Sequence, residues 1–154
     1  RMDWLVEKAT ELGATSLTPL LMARSSLRLS GERATKKRAH WQAVAAASCE
    51  QNGRNRLLDV REQLTFQEHL MQPADVAGTR WVLSLAPEAE SLRARAAALA
   101  PQAAVHLLSG PEGGLSPDED AAARAAGWLP IDLGPRVLRA ETAPLAALAC
   151  LSLP

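Results

Sequence analysis

Two apolar runs in this chain each pass straight into a glycine-bearing loop and then into a helix, and that pattern restricts the possible folds more than any other feature. Residues 103–109 (Ala103-Ala104-Val105-His106-Leu107-Leu108-Ser109) lead into Gly110-Pro111-Glu112-Gly113-Gly114. Trp128 to Leu133 lead into Gly134-Pro135-Arg136-Val137-Leu138-Arg139-Ala140-Glu141-Thr142. Short apolar runs without polar alternation read as strands buried on both faces. Strands joined through helices pair in parallel, because the helix carries the chain back to the end where the next strand starts. The expected fold class is α/β, a parallel sheet with helices on both faces.

The helix after the first loop carries a full set of local signals: Ser116 as cap, Pro117 at the first position, Glu119 completing a capping box and Gly127 just past the end. Thr142 is expected to cap a last apolar helix over 143–151. Upstream, Trp4, Leu5, Ala9 and Leu12 recur at helical spacing ahead of Gly13, which predicts a helix over 3–12. A strand over 16–21 follows, with Pro19 placing it near an edge or a strand end. Over 32–51 an amphipathic helix sets Trp41, Val44, Ala45 and Ser48 on one face and gathers Arg33, Lys36, Lys37 and Arg38 early. A strand at 57–60, a short helix at 66–71, a strand at 80–85 and an Ala- and Arg-rich helix at 89–100 complete the alternation.

The 154 residues fit one domain with a real core, and nearly half of them are apolar, which excludes a disordered or fibrous chain. Net charge is zero, so any surface for a polyanion has to be local or supplied from elsewhere. Cys49 and Cys150 lie far apart and form no CxxC, and His40, His69 and His106 share no short spacing. These patterns suggest reduced thiols in a cytoplasmic protein, no metal site and no general-base histidine. No apolar run approaches the ~18 residues of a membrane span, and no secretion signal opens the chain. Arg1-Met2-Asp3-Trp4-Leu5 already reads as the start of a helix, so the expectation is a fragment of a longer protein.

Ligands of open parallel sheets bind beyond the carboxyl ends of the strands, where both glycine loops lie. Glycine lets bare backbone N–H and C=O groups approach a ligand, so such a loop can bond an adenine edge without side chains. The same composition also suits a tight strand-to-helix turn, and the residues by themselves leave both readings open. No Lys-Ser/Thr follows the glycines and GxGxxG is absent, which argues against nucleoside triphosphates and dinucleotides.

Three blocks resemble a known family. They are Glu7-Lys8-Ala9-Thr10-Glu11-Leu12-Gly13 with Pro19-Leu20, then Ala46 to Arg54 ending in Glu50-Gln51-Asn52-Gly53-Arg54, and the two loops together. In this order, across essentially the whole chain, they resemble the RsmE type of SPOUT methyltransferase, which methylates N3 of a uridine in 16S ribosomal RNA. Ala140 departs from the family's usual threonine. The family's N-terminal PUA-like RNA-binding domain has no counterpart here, so residues 1–154 resemble the methyltransferase domain alone.

The resemblance implies a C-terminal trefoil knot, a homodimer, and S-adenosyl-L-methionine wrapped by the two loops and the loop after Leu85. The implied cofactor contacts are Leu85, Leu108, Gly110, Pro111, Gly113, Gly114, Leu133, Gly134, Leu138 and Thr142. Uridine N3 is a poor nucleophile until its proton leaves, and an arginine suits the resulting delocalised anion. Arg139 is the first candidate for that task and Arg136 the second, with Glu141 orienting an arginine or assisting proton removal. An ion pair with Glu141, or a phosphate contact, is the competing role for either arginine. Arg24, Glu50, Gln51 and Arg54 are candidates for the RNA site or the subunit interface. The implied partner is 16S ribosomal RNA or the small ribosomal subunit. A methyltransferase of the same superfamily acting on another RNA position or a ribose 2′-hydroxyl, or a dimeric RNA-binding scaffold without activity, are the alternatives.

Overall fold

The first helix, α1 (Met2–Glu11), ends at Gly13, whose φ of +94° lets the chain double back. The Ala14 N–H then donates to Ala9 O at 3.0 Å and the Gly13 N–H to Thr10 O at 3.2 Å, which satisfies carbonyls the helix end would leave bare. This computed structural model describes residues 1–26, 28–53, 55–72 and 78–153. Alongside α1 lies α2 (Gly31–Asn52), which buries Trp41, Ala45, Ser48 and Cys49. Val6, Leu29, Trp41, Ala45, Leu58 and Val60 form one core cluster, in which a fully buried large side chain contributes about 1.5–3 kcal/mol. Polar atoms on that face are matched: the Trp41 indole donates to Asp3 Oδ1 at 3.1 Å and the Ser48 hydroxyl to Glu7 O at 3.1 Å.

The strand expected over 16–21 is instead two short strands with different partners. β1 (Ser16–Leu17) pairs in parallel with β3 (Asp59–Val60), and β2 (Leu20–Leu21) pairs in parallel with β4 (Leu64–Thr65). Pro19 lies between the first two, has no N–H to give to a ladder, and accepts from the Leu64 N–H at 3.1 Å. The segment expected as a strand over 57–60 shortens for a similar local reason, since Leu58 O accepts from the Gln42 side chain rather than from a strand.

α3 (Phe66–Met71) follows β4, and the main sheet comes after it: β5 (Thr79–Leu83), β6 (Glu90–Ser91), β7 (Val105–Leu108) and β8 (Leu129–Asp132), all parallel, in the order β6-β8-β5-β7. Three helices are interleaved with these strands, α4 (Leu92–Ala97), α5 (Pro117–Ala125) and α6 (Thr142–Ser152). The two-residue period of β5 divides the core. Trp81 faces Leu92, Ile131 and Ala147, so α4 and α6 cover that side, whereas Val82 joins Leu108, Phe66, Ala123 and Trp128 beneath α3 and α5. The helices therefore cover both faces, as the apolar runs imply.

Other boundaries also differ from the sequence expectation. Residues 90–91 of the expected helix 89–100 form β6, because pairing with Ile131 and Asp132 overrides their helical preference. β5 stops at Leu83, and after the Ser84 N–H donates to Ile131 O at 2.9 Å the chain leaves the sheet, so Leu85 is 73% exposed rather than at a strand end. Thr142 is the first residue of α6, not its cap; Glu141 holds the cap position without a side-chain cap bond, and the Thr142 and Ala143 N–H groups both donate to Arg139 O at 2.9 Å. The Ser116–Glu119 capping box of α5 is present as expected, and Gly127 has a φ of +89° just past the helix. Among the described residues, no helix is long and apolar enough to cross a membrane.

Candidate functional site

All four main strands point the same way, so the segments 84–89, 109–116 and 133–141 emerge at one end of the sheet. In the first glycine loop the Gly114 N–H donates to Pro111 O at 2.8 Å, with Gly114 at a φ of +71°. The loop folds back so closely that a Cβ on Gly110 would lie 2.8 Å from the Leu115 nitrogen. Only glycine fits there. Arg24, from the segment between β2 and α2, donates through Nη1 to Gly113 O at 2.9 Å and Leu115 O at 3.4 Å.

The second loop is set by Asp132, whose Oδ1 accepts the Gly134 N–H at 2.7 Å while Gly134 adopts a φ of +105°. A carboxylate bonding the N–H two residues on is an Asx turn, and it fixes the direction in which the loop leaves β8. Beyond it, Leu133, Pro135, Arg136 and Leu138 line a hollow of about 280 Å³. A second hollow, of about 240 Å³, brings both loops together: Glu112 from the first, Arg139, Ala140 and Glu141 from the second, and Arg1 from the start of α1.

That second hollow is lined by four charged residues, Arg1, Glu112, Arg139 and Glu141. Arg1 lies 3.1 Å through Nη1 from Glu112 Oε1 and 3.9 Å through Nε from Glu141 Oε1, so one guanidinium bridges acids from the two loops. The Glu112 carboxyl is held below its ordinary range chiefly by its own backbone N–H, with Arg1 and Ser26 adding to this against a burial penalty. It is ionised at neutral pH. Arg139 and Arg136 are exposed and make no ion pair with Glu141 among the described residues; Glu141 faces Arg1 instead.

The structure therefore separates the two candidate arginines, placing Arg136 in the apolar-walled hollow with Leu133 and Leu138, and Arg139 with Glu141 in the charged one. Leu108 is buried beneath the first loop, and Gly110, Pro111, Gly113 and Gly114 form its course, whereas Leu85 stands exposed on the neighbouring segment. Glu50 and Gln51 are exposed at the end of α2 and make no hydrogen bond or ion pair with either loop among the described residues. Arg54 lies outside the described residues.

Sequence reasoning missed Arg1, Glu112 and Asp132 as parts of the site. The Asp-x-Gly spacing at 132–134 is a signal that could have found Asp132, and Glu112 is the one charged residue inside its glycine loop. Nothing local marks Arg1, whose partner Glu112 is 111 positions away.

An apolar hollow beside exposed backbone and a neighbouring hollow with paired charges suit a ligand with an aromatic or aliphatic part next to a polar reacting group. Comparison with known proteins gives that shape a context. A family model described as the RNA methyltransferase domain matches residues 1–152. The chain is 35% identical to the ribosomal RNA small subunit methyltransferase E of Bacillus subtilis, covering 99% of this chain and 60% of that protein. It is 34% identical to the protein of the same name from Synechocystis, over 94% of this chain and 46% of the relative. Among solved structures, the methyltransferase E of Neisseria gonorrhoeae bound to S-adenosyl methionine is 38% identical with a TM-score of 0.85, over 98% of this chain and 60% of that one. The chain thus spans about half to three fifths of the length of these relatives. On a match that runs through both glycine loops and nearly from end to end, the chain belongs to the RNA methyltransferase domain family.

Proposed function

We propose that this chain is the catalytic domain of an S-adenosylmethionine-dependent methyltransferase that modifies N3 of a uridine in 16S ribosomal RNA. The observation that carries the proposal is the meeting of the two glycine loops at one end of the sheet, around an apolar hollow and a charged one. The solved relative from Neisseria, bound to S-adenosyl methionine, supports the cofactor assignment.

The residues present fit that cofactor. Leu133, Pro135 and Leu138 offer apolar walls for the adenosine. Leu108, Gly110, Pro111, Gly113 and Gly114 offer backbone groups from the first loop and Gly134 from the second, Thr142 offers its hydroxyl at the start of α6, and exposed Leu85 is available to close against them. When bound, the cofactor supplies an electrophilic methyl group on a sulfonium, and its transfer releases S-adenosylhomocysteine. The protein's task is alignment and charge stabilisation.

As N3 gives up its proton, negative charge spreads onto the flanking carbonyl oxygens, and the planar donors of Arg139 suit that anion. Arg136, beside the apolar hollow, is the second candidate. Glu141 either orients Arg139 or receives the N3 proton, and the Arg1 guanidinium lies 3.9 Å from its carboxylate. The N3 lone pair forms the new bond to the methyl carbon while the carbon–sulfur bond breaks. Arg24 has N–H groups without a hydrogen-bond partner among the described residues beyond its loop contacts and, with Glu50, Gln51 and Arg54, is proposed to meet the RNA or a second subunit.

The wider assignments belong to the same proposal. A C-terminal knot is supported by β8 lying between β5 and β6, so that the link 84–89 spans it. A homodimer belongs to the same reading, with exposed Trp4, Leu85, Val137 and Leu153 as candidates for its interface. The family's PUA-like RNA-binding domain is placed outside this chain, in keeping with a net charge of zero. The location is the cytoplasm, where ribosomal RNA is modified.

The test is incubation of the full-length protein with unmethylated small-subunit RNA and labelled S-adenosylmethionine, followed by digestion to nucleosides. Label in 3-methyluridine is the expected result. Label in another base or in a ribose methyl overturns the N3 assignment, and no transfer with no cofactor binding overturns the enzyme.

A further inference from the structure

The chain contains two capping boxes with the same local chemistry and different surroundings. At α3, Glu68 Oε2 accepts the Thr65 N–H at 2.7 Å, and the carboxylate is exposed. At α5, Glu119 Oε2 accepts the Ser116 N–H at 2.9 Å and the Glu119 N–H donates to Ser116 Oγ at 3.2 Å. Glu119, however, is only 8% exposed, and its Oε1 accepts the Ala23 N–H at 2.7 Å, from a residue 96 positions away. A cap needs one carboxylate oxygen and works at the surface, as Glu68 demonstrates. Burying a carboxylate costs free energy unless its lone pairs are matched, so the second bond of Glu119 needs a reason beyond capping.

Further bonds run in parallel with it. The Arg24 guanidinium meets Gly113 O and Leu115 O, and Ser26 Oγ lies 3.4 Å from Glu112 Oε2. A Cβ on Gly113 would stand 2.9 Å from Arg24 Cβ, so the two backbones are in close contact. Segment 22–26 is itself held in a turn, with the Met22 N–H donating to Ser25 Oγ at 3.0 Å and the Ser25 N–H to Met22 O at 3.2 Å. A hydrogen-bonded turn from the N-terminal half therefore meets the first glycine loop at Glu112, Gly113 and Leu115 and the start of α5 at Glu119.

We infer that Glu119 is a positioning residue: through Ala23, and together with Arg24, it braces the 109–116 loop in the shape that holds the cofactor. The inference rests on the proposed function for what the loop holds, and on geometry alone for the brace. Glu119→Gln keeps the side chain's shape but presents one acceptor oxygen to two backbone donors, so either the cap or the brace fails. Glu68→Gln makes the same change where no brace exists.

In the full-length protein, amide hydrogen exchange and the KM for S-adenosylmethionine are measured for both variants. Glu119→Gln is expected to speed exchange at 22–26 and 109–116 together by about 10- to 100-fold, the loss of one bond to a charged acceptor, and to raise the cofactor KM about tenfold. Glu68→Gln should move neither. Arg24→Ala, which leaves the cap intact, should loosen the same two segments, and it decides the matter if Glu119→Gln does not fold. Faster exchange confined to residues 116–119, or an equal KM change in Glu68→Gln, overturns the brace. If the unaltered protein binds no S-adenosylmethionine, the functional reading falls while the exchange pattern still decides the brace.

Discussion

Replacing Gly110 by alanine tests whether the first loop's close fold-back matters to ligand binding. The new Cβ would meet the Leu115 nitrogen at 2.8 Å, the Gly114 carbonyl carbon at 3.1 Å and Leu115 Cγ at 3.3 Å. Two of these are backbone atoms and cannot swing aside. Ordinary contact begins near 3.4 Å, so the loop has to open by about 0.6 Å at its tightest point. Overpacking of this kind costs about 1–3 kcal/mol, roughly 5- to 150-fold in an equilibrium constant. A loop that deforms leaves the fold nearly as stable and loses affinity for S-adenosylhomocysteine; a loop that resists passes the cost to the fold. Calorimetric titration with S-adenosylhomocysteine and a denaturant midpoint, measured together, capture both. Gly127→Ala is the control: no atom lies within 4 Å of its Cβ, but its φ of +89° makes a side chain strained by about 1–2 kcal/mol, all of which should appear in stability. The reasoning is refuted if Gly110→Ala changes neither quantity, or if Gly127→Ala costs as much affinity.

Arg139→Ala is expected to lower kcat by about 10²- to 10³-fold while S-adenosylhomocysteine affinity stays within about twofold, since the role proposed for the guanidinium is on charge that forms only during transfer; unchanged turnover removes it from the reaction. Asp132→Ala deprives the Gly134 N–H of its acceptor, and a net loss of about 0.5–1.5 kcal/mol should appear as weaker cofactor binding in the same titration. His69 and His106 are both held below their ordinary value near 6.5: His69 by burial, then by His106 and Arg80, and His106 by burial, then by Arg80 and Arg61. Because the folded values lie below the unfolded one, this contribution to stability is present above about pH 6.5 and is lost as pH falls through the folded values. A denaturant midpoint should drop between pH 7.5 and 5.5, and the double variant His69→Gln/His106→Gln should flatten that drop.

What sequence alone could resolve follows the range of the interactions involved. The Ser116–Glu119 box and the glycine stops at Gly13 and Gly127 depend on residues within one helical turn, so their signals are local and the structure contains them. β4 and β6 are two-residue strands that exist through pairing with β2 and β8, and no periodicity fits in so short a span. Thr142 looks like a cap in sequence, yet the carbonyl of Arg139 takes the first free N–H groups and shifts the helix start by one residue. In the site, the loops announce themselves by glycine, and the separation of Arg136 from Arg139 into two hollows depends on how the second loop turns at Asp132. The bridge from Arg1 to Glu112 and Glu141 joins the two ends of the chain, and only the folded sheet brings them together.

The most direct test of the account is a crystal structure of the protein with S-adenosylhomocysteine bound. The account predicts the adenosine between the 109–116 and 133–138 loops, with its ring against Leu133 and Leu138 and its sulfur facing the hollow that holds Arg139 and Glu141. A ligand seated at the opposite end of the sheet, or one whose sulfur points away from Arg139, contradicts it.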